Sequence, residues 1–217
     1  MYQTIHKTIR DILSPKVLAF IIKIGLGSIA IWVAILWFFW DSFEGFVTSY
    51  LAWIPWEWAQ NSVAYIATPL VGYMLVINTI SILTSIFSEK LLIELAQKHY
   101  PHQKVLASPS ITASIIITIK ASVVFILLFL LLFPLIFVPI LGQVVILYLW
   151  SILLKAPTVH DVGGLFIVDK KELGKRSKQS TIIAMIASLF NYIPLLNIFA
   201  PIFAQILFLH HILKKGV

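Results

Sequence analysis

The chain has 217 residues, of which 60% are apolar and 12% are charged, about half the charged share of an ordinary soluble domain. So much apolar side chain is accommodated when lipid, not water, surrounds the protein. The absence of cysteine excludes disulfides, thiolate nucleophiles and cysteine-based zinc sites. The net charge of +7 comes from short basic segments between apolar runs, a pattern typical of membrane topology and anionic-lipid contact and unlike a nucleic-acid groove. We therefore expect an all-α integral membrane protein, a single membrane domain over 1–217, with lipid and no nucleic acid among its partners.

The first predicted element is an amphipathic helix over residues 1–13. Its charged residues Lys7, Arg10 and Asp11 lie opposite an apolar face made of Tyr2, Ile5, Ile9, Ile12 and Leu13. Such a helix lies in the plane of the membrane interface. No apolar stretch followed by a small-residue cleavage site is present, so we predict no removable signal peptide.

Two long transmembrane helices are predicted next, over 15–40 and 62–98. Their apolar runs, 17–40 and 63–87, each exceed the roughly 20 residues that cross a bilayer. Membrane strands need only about 10 residues and alternate apolar with polar side chains, so these runs favour helices. The intervening segment, 41–61, contains no Lys or Arg and carries a tryptophan cluster typical of an interfacial aromatic belt, formed by Trp53, Trp56 and Trp58.

Two further apolar regions predict helical hairpins, over 111–155 and 179–213. Their uncharged turns, in 134–143 and 193–197, are flanked by apolar residues, which favours tips within the membrane or at its far edge. The arms of the second hairpin span roughly 20 Å, less than the roughly 30 Å apolar core, so this hairpin is the better re-entrant candidate.

The distribution of Lys and Arg predicts the orientation of these elements. Basic residues occupy 1–16, 88–110, 155–180 and the C-terminal tail, whereas 41–61 has none. Because basic loops stay cytoplasmic, both termini are expected inside and 41–61 outside. Each hairpin then leaves and returns on the cytoplasmic side.

No catalytic motif is present, so we expect neither enzymatic activity nor a cofactor. The chain lacks Gly-x-Ser-x-Gly, a phosphate loop and His-Glu-x-x-His. His99 and His102 have a spacing found in metal sites, and His210 and His211 are adjacent. No neighbouring carboxylate or cysteine completes a ligand set in the sequence, so no metal site is expected.

Several polar residues inside the apolar runs are candidates for an anion pathway. Asn78, Ser81 and Ser85 follow one another at helical spacing on one face of the second long helix, with Gly72 and Ser88. This stripe either packs closely against another helix or forms the polar wall of a pathway. Lys120 lies ten residues into its apolar run, where a buried ammonium is expected to face the bundle interior or a water cavity.

The hairpin turns are the second candidate region. Pro139 and Pro194 suit the first turn of a returning helix, which would leave unbonded N–H groups and a positive dipole end facing an anion. The alternative is that each proline only closes a tight turn. Under the first reading Gly142, Gln143 and Asn197 line the path. Under the second they serve packing and local hydrogen bonds.

The order of these short motifs resembles the CysZ-type sulfate permeases and the wider family of etoposide-induced membrane proteins. Pro139-Ile-Leu-Gly142-Gln143, followed by Trp150, is similar to the first hairpin of those permeases. The stretch 193–197 with Pro201 is similar to their second hairpin. Ser88-Glu89-Lys90 resembles the Ala-Glu-Lys at the cytoplasmic end of their second long helix. The likeness covers roughly residues 10–213.

The resemblance implies a bacterial inner-membrane homo-oligomer that conducts sulfate, with Lys16 and Glu89 near its pathway. The family's sulfate-binding stretch reads like Pro-Gly-Leu-Arg-Arg, whereas the equivalent here is Pro15-Lys16-Val-Leu-Ala-Phe20, without the glycine or either arginine. Lys16 supplies one charge but not the bidentate fork of arginine. A sulfate-like anion remains the favoured partner, and the alternative is a membrane scaffold that does not transport.

Overall fold

A computed structural model describes residues 2–50, 52, 55–136, 138–193 and 195–214, without the side chains of residues 47, 50, 59, 61, 64, 67 and 170. Helices account for the regular structure of these residues, as predicted. They are α1 (Tyr2–Ile12), α2 (Pro15–Tyr50), α3 (Glu57–Phe87), α4 (Glu89–His99), α5 (Ile111–Ile136), α6 (Leu141–Thr158), α7 (Lys170–Gln179), α8 (Thr181–Ser188) and α9 (Ala200–Lys214). A π-helical turn (Val159–Gly163) continues α6, and 3-10 turns (Leu189–Tyr192, Leu196–Ile198) lie between α8 and α9.

Four segments of the described chain are long and apolar enough to cross a membrane. They are Pro15–Phe46, Thr68–Phe87, Ile111–Ile136 and Leu141–Gly163. Two shorter apolar segments, Thr181–Tyr192 and Ala200–Lys214, make up the C-terminal pair. The 15 residues of α9 extend about 22 Å, less than a roughly 30 Å apolar core.

The long helices differ from their predicted bounds of 15–40 and 62–98. α2 continues to Tyr50, with non-helical backbone at Phe39 (φ −123°, ψ 22°), next to the end of the apolar run. Beyond it, polar side chains fit the helix by bonding back onto it, as the Thr48 hydroxyl does to the Glu44 carbonyl at 2.8 Å. The second predicted helix is divided at Ser88 into α3 and α4. Its C-terminal part, α4, packs on α9 and buries a leucine-rich face.

The structure divides into two compact units, Ala19–Thr84 and a larger one formed by Met1–Leu18 with Ser85–Val217. In the smaller unit, α2 and α3 approach each other in antiparallel order. The Trp32 indole donates to the Thr79 hydroxyl at 2.8 Å, Leu36 lies beside Gly72, and the Gln60 amide donates to the Thr48 carbonyl at 3.4 Å. The indole bond satisfies two polar groups where water is scarce.

The core of the larger unit is built around α9. Twelve side chains of this helix are buried, including Gln205 and His210, so it is enclosed on all sides. A helix that is apolar around its whole circumference is stable only when surrounded in this way. It contacts α1, α4, α6 and α8. Beside it, α5 packs on α6 through Phe125, Leu128, Phe129 and Leu132 against Val145, Leu149 and Ile152.

The N-terminal helix packs through a face that the amphipathic pattern did not indicate. Thr4, Thr8, Asp11 and Ile12 are buried, and the helix lies on α9. Tyr2 is 80% exposed and most of the predicted apolar face points away from the protein. Threonine at positions i and i+4 allows close approach, and the Thr8 hydroxyl bonds to the Thr4 carbonyl at 2.9 Å. The apolar face is therefore free for lipid while the polar face docks on protein.

Candidate functional site

The first tip, residues 138–142, is a tight turn between α5 and α6. Ile140 has φ 64° and ψ −53°, and the Leu141 N–H donates to the Pro139 carbonyl at 2.7 Å, which is a γ-turn. The Gly142 N–H donates to the Val138 carbonyl at 2.8 Å. A positive φ is unfavourable for a β-branched residue, so this turn stores strain.

The second tip, residues 193 and 195–197, repeats this geometry. Leu195 has φ 69° and ψ −38° and, like Ile140, directly follows a proline in the sequence. The Asn197 N–H donates to the Ile193 carbonyl at 3.1 Å, the counterpart of the Gly142 bond. Pro194, predicted at the first turn of a returning helix, lies outside the described residues. The two tips are thus built on one plan, although their residues differ.

The prediction that the tips offer unbonded N–H groups is wrong for most of their residues. At the first tip the N–H groups of Leu141 and Gly142 bond within the turn, and Pro139 lies two residues ahead of α6 rather than in its first turn. At the second, the N–H groups of residues 197, 198 and 199 are bonded to carbonyls three or four residues earlier. These N–H groups donate to carbonyls within the γ- and 3-10 turns, so they are not available to an anion.

Gly142 fits the packing interpretation. A Cβ on this residue would lie 2.0 Å from the Ile136 carbonyl oxygen and 2.7 Å from its carbon. The close approach of α6 to the end of α5 therefore requires glycine here. Gln143, next in the chain, has an exposed side chain, and its backbone carbonyl accepts the Tyr192 hydroxyl at 3.4 Å. Tyr192 also stacks at a tilt on Trp150, with ring centroids 5.2 Å apart, so the second tip contacts α6 near the first.

The predicted pathway residues Asn78 and Ser81 of α3 and Lys120 of α5 have exposed side chains. Asn78 and Ser81 are exposed, and the Ser81 hydroxyl bonds to the Ile77 carbonyl at 3.1 Å. Lys120 is exposed on α5 among exposed aliphatic side chains. Asn197 is half-buried. Asn78 and Ser81 belong to the smaller compact unit, whereas Lys120 and Asn197 belong to the larger one.

Ser85 belongs to a separate polar cluster at the end of α3. Asp161, in the π-helical turn, accepts the hydroxyls of Ser114 at 2.7 Å and Ser85 at 3.3 Å. Nearby in sequence, the Ser108 hydroxyl lies 2.8 and 2.9 Å from the two carboxylate oxygens of Glu89, so its one proton is shared between them. Asp161 was not predicted from the sequence, although a carboxylate close to the end of an apolar run could have indicated it.

Lys16 is paired with a carboxylate. Its ammonium contacts Glu94 of α4. The charge predicted to bind an anion is therefore compensated by Glu94 of the same chain, although both side chains keep contact with solvent.

The most buried polar cluster joins α1, α4 and α9. The Asp11 carboxylate, fully buried, lies 2.8–2.9 Å from Nε2 of His99 and 2.8 Å from Nε2 of His210. The Tyr100 hydroxyl lies 3.2 Å from Nδ1 of His210. Lys98 is 3.6 Å from Asp11.

Hydrogen bonds keep the Asp11 carboxyl ionised in this cluster. Burial alone raises the pKa of the Asp11 carboxyl, but the bonds from His210 and His99 outweigh it and lower the pKa to about 2. Burial, aided by the Asp11 charge, raises the pKa of the Tyr100 hydroxyl, which stays protonated. Asp11 is thus a fixed negative charge held between two imidazoles. The amphipathic pattern predicted Asp11 on the polar face of an interfacial helix, not in a buried cluster. The spacing of Thr4, Thr8 and Asp11 places them on one face of α1, and this was the pattern that could have indicated a buried polar face.

Comparison with known proteins gives one family match. Neither the curated proteins nor the solved structures yield a match to this chain. The family model described as sulfate transporter CysZ/etoposide-induced protein 2.4 matches residues 4–201, which include α1 through α8 and the first residues of α9. The helices long enough to span a membrane agree with such a family. The chain therefore belongs to the CysZ/etoposide-induced protein family, and it is a membrane protein with several apolar helices.

Proposed function

We propose that this protein is a homo-oligomeric permease for small oxyanions in the bacterial inner membrane, with both termini cytoplasmic. Family membership supports transport, because the family description names a sulfate transporter. The orientation rests on the lack of Lys and Arg in 41–61.

The observation that carries the proposal is the position of Lys120. Its side chain is exposed at the tenth residue of the 26-residue helix α5. An ammonium facing lipid at that depth is costly, and such groups normally face water or another protein surface. A second copy of the chain beside α5 would shield Lys120 from lipid, and a water-filled path between the two copies would hydrate its ammonium. Asn78 and Ser81 are polar and exposed on α3, and a second copy of the chain beside α3 would shield them from lipid as well.

The substrate class rests on the charge of Lys120. An exposed ammonium on α5 favours an anion, and an oxyanion accepts hydrogen bonds from it. No arginine fork is available at 15–20, and Lys16 is engaged by Glu94. Sulfate is thus one member of the class and not a unique choice.

The test is oxyanion flux into liposomes that hold the purified protein. Replacing Lys120 by Gln removes the charge, and an ammonium about 8 Å from a passing anion contributes about 2 kcal/mol at an effective dielectric constant near 20. We therefore expect about a tenfold or larger loss of flux. Lys23→Gln is the matched control, because Lys23 is also an exposed membrane lysine but lies near enough to the helix end to reach the interface. Equal loss in both variants, or no flux in the wild type, would overturn the proposal.

A membrane scaffold without transport is the second candidate. The bonded N–H groups of the two tips favour it, because they remove one anion-binding device. A scaffold predicts no flux of any oxyanion above empty liposomes together with a stable complex in detergent. The flux measurement separates the two functions, because a homo-oligomeric permease and a scaffold would both form a stable complex in detergent.

A further inference from the structure

Asp11, His99 and His210 form a compact set of metal-type ligand atoms drawn from three helices. One oxygen and two ring nitrogens all lie within 4.8 Å of one another. Zinc binds carboxylate oxygen and imidazole nitrogen at about 2.0–2.2 Å, and two histidines with one carboxylate is a recurring set for it. Ligand atoms around such an ion are roughly 3.4 Å apart in tetrahedral geometry. The observed separations of 2.8–2.9 Å need only a small opening.

Burial distinguishes this cluster from a chance grouping of surface residues. The side chains of Asp11 and His210 are 1% and 0% exposed, whereas that of His99 is 17% exposed. Asp11 and His210 are therefore enclosed by the packing around α9, whereas His99 keeps partial contact with solvent. Water can take a remaining coordination position of an ion on the His99 side.

A neighbouring hydroxyl orients one of the imidazoles. Tyr100 lies 3.2 Å from Nδ1 of His210. Without a metal ion, Nε2 of His210 donates to the Asp11 carboxylate and Nδ1 accepts from the Tyr100 hydroxyl. When an ion takes the place of the proton on Nε2, Nδ1 carries the proton and donates to the same hydroxyl, so the lone pair of Nε2 is directed at the ion. Such outer contacts fix the tautomer of metal-bound histidines.

Two lysines lie beside the cluster, and one of them competes with a metal ion for the Asp11 carboxylate. Lys98 lies 3.6 Å from Asp11, and the ammonium of Lys7 lies 5.2 Å from the ring centre of Tyr100. The Lys98 side chain is 60% exposed, so it can turn into solvent when another cation occupies its place. Lys98 thus competes with a metal ion for Asp11, and its removal is expected to strengthen metal binding.

We propose that Asp11, His99 and His210 bind a divalent transition-metal ion, of which zinc best matches the nitrogen and oxygen ligands. The bound ion ties α1 and α4 to α9, so it fastens the N-terminal helix to the core. This proposal is independent of transport. Magnesium is not expected to bind, because it prefers oxygen ligands in octahedral geometry.

The test is zinc uptake by the purified full-length protein in detergent, carried on a tag without histidine and first stripped by a chelator. After equilibrium dialysis against buffered Zn²⁺, we expect about one zinc per chain in the wild type. His99→Gln is expected to lose this zinc. His102→Gln, an exposed histidine three residues away, is the matched control and is expected to keep it. Wild-type uptake no greater than that of His99→Gln, or equal loss in both variants, overturns the proposal.

Four further measurements keep the test decisive if His99→Gln fails to fold. Tyr100→Phe retains the ring but loses the orienting hydroxyl, and we expect zinc affinity to fall by about 10- to 100-fold. Lys98→Gln is expected to raise it. In the wild type, Zn²⁺ raises the thermal midpoint and Mg²⁺ does not, since only a ligand of the folded state stabilises it. Co²⁺ in place of Zn²⁺ should give the visible absorption of a low-coordinate nitrogen and oxygen site. The proposal is overturned if Tyr100→Phe binds zinc as tightly as the wild type and zinc does not change the thermal midpoint. The cluster would then be a hydrogen-bond network without a metal ion.

Discussion

Replacing Gly142 by Ala tests whether this residue serves close packing or lines a path. The added methyl group would lie 2.0 Å from the Ile136 carbonyl oxygen. An ordinary C···O contact is about 3.3 Å, so the two backbones must separate by roughly 1.3 Å. Overpacking of this kind costs about 1–3 kcal/mol and more when backbone is involved. The hydrogen bond from the Gly142 N–H to the Val138 carbonyl is strained by the same movement.

The assay is thermal unfolding in detergent, followed by intrinsic tryptophan fluorescence. For a chain of this size, 1–3 kcal/mol corresponds to a midpoint about 2–12 °C lower. Gly174→Ala is the matched control, because nothing lies within 4 Å of the new methyl group and α7 gains helix propensity. We expect its midpoint to be unchanged or slightly higher. Equal midpoints for Gly142→Ala and Gly174→Ala would refute the close-approach argument.

Three other predictions concern the tips and the topology. Ile140→Gly relieves a positive φ at a side chain that is 81% exposed, so we expect about 1–2 kcal/mol of added stability in a denaturation measurement, and a loss would contradict the strain. Changing both Gln143 and Asn197 to Leu is expected to lower oxyanion flux more than thermal stability. Unchanged flux with a marked loss of stability would count against a pathway role. Single cysteines at the exposed positions Ser49 and Lys175 can be labelled without interference, because the chain has no cysteine of its own. From outside intact cells only the first should react with an impermeant reagent, and labelling of both would indicate dual topology.

The two tips separate what local sequence predicts, the location of a turn, from what it does not predict, the type of turn. The uncharged stretches 134–143 and 193–197 correctly located turns between helices, because an apolar run of that length must be interrupted where proline and glycine occur. The type of turn was not predictable. A positive φ at Ile140 and Leu195 runs against the preference of each residue, so only the packing around the turn selects it. The type of turn determines which backbone N–H groups of each tip are hydrogen-bonded.

The sequence by itself determined that this is a helical membrane protein of the CysZ/etoposide-induced family, because run length, charge placement and short motifs are local properties. It did not determine which face of α1 is buried. An amphipathic pattern separates polar from apolar side chains but does not say whether lipid or protein takes each face. Tertiary structure alone brought Asp11 to His210, 199 residues away, and so supplied the carboxylate that the histidines lacked in the sequence. Such contacts depend on how α1, α4 and α9 pack together, and no periodicity within one helix records them.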